Sequence, residues 1–170
     1  MYVLSVLSYG SELWIFSLKT SFSHTKSVRS KFRANWNRLN SVYNTCARRI
    51  LGAPKGTSMD AVFVRLGWMP LYHLLIFRAL VWFVKGKKGL AGPALQDLIS
   101  DMNTNNRRWV RTRFCAPAMN TLSMLEPPSP GGSTDDYFSL TVPQLKNALR
   151  ASILSHLNSQ RIGVRVKSLI

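Results

Sequence analysis

Asp135 and Asp136 are the one adjacent pair of carboxylates among the seven acidic residues of this 170-residue chain. Paired carboxylates can hold two metal ions, the arrangement by which polymerases and nucleases transfer phosphoryl groups. A polymerase box of that kind places an aromatic residue two positions ahead, in a tight hairpin. Position 133 is Ser, and Glu126-Pro127-Pro128-Ser129-Pro130-Gly131-Gly132-Ser133-Thr134 reads as a mobile loop, rich in residues that hold neither a helix nor a ladder. The pair therefore reads as a solvated loop end. His24, His73 and His156 are far apart in sequence and have no partner at ligand spacing, so a metal site is not expected. Cys46 and Cys115 lack a Cys-x-x-Cys spacing, which leaves no disulfide framework and no zinc motif. Gly89-Leu90-Ala91-Gly92 is too short to cradle a phosphate. Neither a cofactor nor a complete catalytic centre is expected.

What the chain offers instead is cations. Lys26, Arg29, Lys31, Arg33, Arg38, Arg48, Arg49 and Lys55 follow one another with no Asp or Glu between them. Arg107, Arg108 and Arg111 make a second cluster. Phe32, Trp36 and Tyr43 are interleaved with the first, a mixture that can grip a backbone by charge and stack bases on rings, although Trp36 and Tyr43 could equally be core anchors. Over the whole chain, 23 Lys and Arg face 7 Asp and Glu, for a formal charge of +16. Such a field attracts polyanions. Nucleic acid is the commonest, since each neutralised phosphate releases counterions, and an anionic membrane is the competitor.

Two segments bear on the membrane reading. Residues 1–18 are apolar, but they have no positive n-region and Glu12 interrupts them, so they do not read as a signal peptide. Residues 68–84 carry nine strongly apolar side chains worth about −4 kcal/mol of insertion energy, against about +3 kcal/mol for Arg78 near the centre. The near-zero sum and the short length favour a buried central helix.

The elements that position the cations are helices. Leu39, Val42, Tyr43, Cys46 and Ile50 recur at the spacing of one helical face, with Arg38, Asn44, Thr45, Arg48 and Arg49 opposite, and Cys46 is expected to be a small core residue. Gly52 and Pro54 should end that helix near Leu51. Thr57 or Ser58 should cap a short helix running to about Leu66, with Asp60 near its positive end. Gly67 breaks it, and a third helix is expected from Pro70 to about Lys85. Beyond the Gly86–Pro93 turn, Leu95, Leu98, Ile99 and Met102 mark a short amphipathic helix, and residues 103–126 carry no firm signal. Thr141 and Gln144 have the capping-box spacing, opening a last helix whose face is Leu145, Ala148, Leu149 and Ile153 and which should fade near Asn158. The predicted class is all-α: a compact helical bundle with a loop-rich C-terminal half ending in a helix.

Several short segments, in order, carry a resemblance. Leu7-Ser8-Tyr9-Gly10-Ser11-Glu12-Leu13-Trp14 is similar to the Leu-x-Tyr-Gly-x-Glu-x-Trp segment that follows the polymerase palm of non-LTR (LINE-like) retrotransposon reverse transcriptases. Arg48-Arg49-Ile50-Leu51-Gly52 resembles the family's helix ending in Arg-x-Ile-Leu-Gly, and Leu66-Gly67-Trp68-Met69-Pro70-Leu71 its Leu-x-Trp-x-Pro-Leu turn. Gly89-Leu90-Ala91-Gly92-Pro93-Ala94-Leu95 and the helix holding Leu145-Lys146 match further segments, whereas the Trp-Asn-x-Leu-Pro stretch common before the last helix is missing. The resemblance implies a thumb-like helical bundle over residues 1–86 and a post-thumb helical extension over 87–170. It places fingers, palm and endonuclease upstream. Such a region would be a non-catalytic fragment of an RNA-directed DNA polymerase that holds template–primer nucleic acid, RNA or RNA–DNA duplex, by its backbone. A palm on another chain is a possible partner, a nuclear or cytoplasmic ribonucleoprotein the expected setting. A small basic membrane-associated protein and a decayed element without function are the alternatives.

Overall fold

The structure, a computed structural model, describes residues 15, 26–90, 92–93, 115–128 and 131–167, with side chains described at 15 and between 34 and 158. The fold is all-α, as the periodicity predicts: six helices and no strand among the described residues. They are α1 (Lys26–Leu51), α2 (Met59–Leu66), α3 (Leu71–Lys87), α4 (Ala116–Ser123), α5 (Asp136–Ser139) and α6 (Val142–Lys167).

Helix α3 is the strut of the molecule. Leu71, Leu75, Ala79, Leu80, Phe83 and Val84 are essentially inaccessible to solvent, while Arg78 alone among its central residues is exposed. It packs on α6, α4 and α5. Its apolar side chains share one core with Tyr43, Ala47 and Val62 before it and with Leu122, Tyr137, Leu145 and Leu149 after it. Residues on both sides of position 86 therefore contribute to a single core, which also takes in Ile15. Among the described residues no single helix is long and apolar enough to cross a membrane; α2 and α3 pass that test only as a pair bent by 44°.

The helix ends follow from glycine. At Gly52, φ is +65°, a conformation that costs other L-residues energy. It lets the Ala53 N–H reach the Arg48 carbonyl at 2.9 Å and the Gly52 N–H reach the Arg49 carbonyl at 3.2 Å, so two otherwise orphaned carbonyls are satisfied. Gly67 ends α2 in the same way, with the Trp68 N–H donating to the Phe63 carbonyl at 2.9 Å. At the start of α6 the predicted capping box is half formed: the Thr141 N–H donates to Gln144 Oε1 at 3.0 Å.

Four details of the fold add to the sequence reading or depart from it. The face of α1 is rotated: Tyr43 and Ala47 are buried, with Trp36, Leu39 and Leu51 packed against them, whereas Val42 and Ile50 are exposed and Cys46 is only half buried. Helix α4 forms within the stretch that carries no firm signal in the sequence, burying Ala118 and Leu122. Pro70 precedes α3 as its cap residue, and α3 runs on to Lys87. Helix α6 continues to Lys167 instead of fading near Asn158. The expected helix around Leu95–Met102 lies outside the described residues.

The Pro-rich loop is tied down at its start. The Glu126 carbonyl accepts hydrogen bonds from the hydroxyls of buried Tyr137 and of Ser152 (2.9 Å for the serine), and those two hydroxyls are 2.9 Å apart. Burial raises the Tyr137 phenol above its ordinary pKa. Tyr43 makes the corresponding anchor on the other side. Its hydroxyl donates to the Met69 carbonyl at 2.9 Å, its ring lies 5.5 Å from Trp68 and 5.7 Å from Phe63, and burial pushes its pKa up to about 12 from 10.0. Because the folded state holds this phenol neutral, its stabilisation is complete below pH 10 and is lost as pH rises through about 12. Thermal unfolding of Tyr43→Phe should show a loss of about 1 kcal/mol at neutral pH and a smaller drop in stability than the parent protein between pH 10 and 12.

Candidate nucleic-acid interface

Helix α1 presents two faces. Trp36, Tyr43 and Ala47 follow the inward stripe, and the ring of Trp36 meets Tyr72 edge-on at 6.3 Å. Tyr43 is thus a core anchor and offers no ring face to a base. Opposite, Arg38, Thr45 and Arg49 are all exposed at the 7-4 spacing of a single helical stripe. From Arg38 to Arg49 the stripe spans about 16 Å at 1.5 Å per residue, the axial length of about five base pairs of a duplex. Lys55 is exposed in the turn that follows.

Arg48 does something different. Its guanidinium turns inward, and Nη2 donates to the Thr57 carbonyl at 3.1 Å, clasping the α1–α2 turn. Its Nε and the Oδ1 of Asn44, one turn earlier, are buried without a hydrogen-bond partner. Sequence spacing alone placed Arg48 with Arg49 on an outer face; in the fold they point to opposite tasks. The backbone of Lys26, Arg29, Lys31 and Arg33 forms the first turns of α1. Lys31 stands seven residues before Arg38, at the same helical register, whereas Arg29 and Arg33 are in register with Trp36. Their side chains lie outside the described residues, as do Arg107, Arg108 and Arg111 entirely.

Two cations that sequence reasoning did not single out also bind carbonyls. Arg150 Nη2 donates to the Gly67 carbonyl at 2.6 Å, and Lys88 Nζ donates to the Leu140 carbonyl. Both acceptors lie at helix boundaries, where carbonyls lack intrahelical partners, so a break signal such as Gly67 hints that a cation is needed but not which one.

The carboxylate pair has a local role. Asp136 Oδ2 accepts from the Ser133 N–H at 3.2 Å, and the Asp135 N–H donates to Ser133 Oγ at 3.1 Å, which together shape the turn entering α5. Among the described residues no three His, Cys, Asp or Glu side chains converge as a metal site would require. The cysteines differ from expectation: Cys115 is the fully buried one, its thiol pushed up by burial despite the nearby charge of Lys87, and Cys46 lies half buried on the flank of α1. Comparison with protein-family models, with curated proteins and with solved structures returned no match.

The two arginine roles separate experimentally. Arg48→Ala should lower stability by about 1–2 kcal/mol, because it leaves the Thr57 carbonyl unpaired. Arg38→Ala and Arg49→Ala should stay within about 0.5 kcal/mol of the parent protein in denaturant titrations.

Proposed function

We propose that this chain holds a nucleic-acid duplex by its sugar–phosphate backbone, as the thumb region of a non-LTR retrotransposon reverse transcriptase would, and carries out no polymerisation by itself. The observation that carries the reading is the exposed stripe of Arg38, Thr45 and Arg49 on the side of α1 opposite the core, continued by Lys55. A thumb must offer one cationic helical face to a template–primer while its other face is fixed to the protein, and α1 has that division. Arg38, Arg49 and Lys55 are assigned phosphate contacts. Of the cations in the first turns of α1, Lys31 shares the register of the strip and extends it toward the start of the helix; Lys26, Arg29 and Arg33 are proposed as further phosphate contacts off that line, and Arg107, Arg108 and Arg111 as a second patch. Arg48 belongs to the fold before it belongs to the ligand, since its guanidinium is already committed to Thr57.

Phosphate contacts without base readout bind RNA, RNA–DNA hybrid and DNA by the same chemistry, with affinity governed by salt. The ligand proposed is RNA or RNA–DNA duplex, with the paired-aspartate palm supplied by another stretch or another chain and the whole assembled as a ribonucleoprotein. The competing membrane reading would require the apolar surface of α3 to meet lipid, yet that surface is spent on the core.

A filter-binding titration with an RNA–DNA hybrid over a salt series tests the proposal. Log affinity should fall steeply with log salt, and the double variant Arg38→Ala/Arg49→Ala should reduce the slope by about 2, at roughly 0.9 per phosphate contact. A slope near zero for the parent protein would mean that the stripe touches no phosphates.

A further inference from the structure

Between the inward stripe of α1 and its arginines lies a third strip, Leu39, Val42, Cys46 and Ile50. Val42 is 47% exposed and Ile50 62% exposed, Cys46 between them is half buried, and Leu39, one turn before Val42, is half buried with one side against the core. Their spacing of 3, 4 and 4 residues is that of a helix–helix seam, with large side chains returning to one line every third or fourth position. Scattered surface hydrophobes are ordinary, but a line of them at seam spacing on one helix is what a partner helix fits.

The charges beside the seam say which helix. Arg38 stands next to Leu39 and Arg49 next to Ile50, both exposed, and Lys31 occupies the equivalent position one heptad before Arg38. No acidic residue lies between 26 and 55. A second copy of this chain would set cations against cations along the same line, which disfavours self-pairing. A helix with an apolar seam and carboxylates along its margin would meet both features at once.

We propose that the flank of α1 formed by Leu39, Val42, Cys46 and Ile50 docks an acidic amphipathic helix of another protein, seam against seam, with the partner's carboxylates taking the place of phosphate at Arg38 and Arg49. The proposal stands on the apolar strip and does not rest on phosphate binding. Substitutions along the strip remove no charge, so the two ideas fail separately.

The test uses the full chain and a fluorescein-labelled synthetic peptide of three heptads, with Leu at the seam positions and Glu at the flanking ones. A scrambled peptide of the same composition keeps the charge and destroys the seam. Anisotropy titrations should show the ordered peptide binding about tenfold or more tighter than the scrambled one, and Val42→Ser or Ile50→Ser should each weaken it by roughly tenfold. Both variants sit at exposed positions, and their helical circular dichroism should match the parent's. The bound peptide should also shield Cys46 from alkylation. Equal affinity for the two peptides, or indifference to both serine substitutions, would overturn the proposal. So would sedimentation showing a homodimer that Val42→Ser dissociates, because the seam would then be closed by a second copy.

Discussion

Seven carboxylates cannot neutralise twenty-three basic side chains, and the difference of sixteen must be met some other way. A cation taken into the interior without a partner is expensive, so each surplus one either finds a neutral acceptor or stays in water. The fold uses both outlets. Arg48, Lys88 and Arg150 reach the carbonyls of Thr57, Leu140 and Gly67 in the turns between helices. Arg38, Arg49 and Lys55 remain outside. The proposed function rests on the second group, since an uncompensated row of cations along one helix attracts a polyanion.

That row faces outward because the opposite side of α1 is anchored in the core. Tyr43 supplies most of the anchor, with its ring between Phe63 and Trp68 and its hydroxyl on the Met69 carbonyl. Met69 leads directly into α3, the buried strut against which α4, α5 and α6 pack. The chain of contacts thus runs from the C-terminal helix through α3 and the Gly67 turn to α1. Arg150 reinforces it by tying α6 to the carbonyl of Gly67 itself. A cationic face held by so many apolar contacts does not have to be ordered by its ligand, which spares the binding step part of the entropy of arranging it.

Much of this was legible in the residues, and the failures have physical causes. The ends of α1 and α2 at Leu51 and Leu66, and the start of α3 just after Pro70, follow from glycines and prolines whose backbone demands are local. The buried nature of α3 follows from its apolar composition on all sides. The orientation of α1 could not be read the same way, because its sequence holds two overlapping stripes that share a border at Tyr43. One runs through Trp36, Tyr43 and Ala47, the other through Leu39, Val42, Cys46 and Ile50. Periodicity prefers the second, since its side chains are larger than Ala47. The choice is made by Phe63 and Trp68, which stack on Tyr43 and are distant in sequence. The inward turn of Arg48 follows from that rotation. Helix α4 went unread because Pro117, Asn120, Thr121 and Ser123 are poor helix formers; burial of Ala118 and Leu122 against α3 supplies what propensity lacks. The family resemblance rests on the sequence segments themselves and adds the idea of a thumb to a surface that composition had already marked as cationic.

The central claim, that the outer stripe of α1 is where nucleic acid touches this protein, is tested most directly by arginine footprinting. The protein is treated with phenylglyoxal with and without a saturating RNA–DNA hybrid, and modification is read residue by residue by mass spectrometry. Arg38 and Arg49 should be modified in the free protein and protected in the complex, while Arg78, exposed on α3, should react equally in both. Uniform protection of all three, or protection of Arg78 with Arg38 and Arg49 still reactive, would contradict the account.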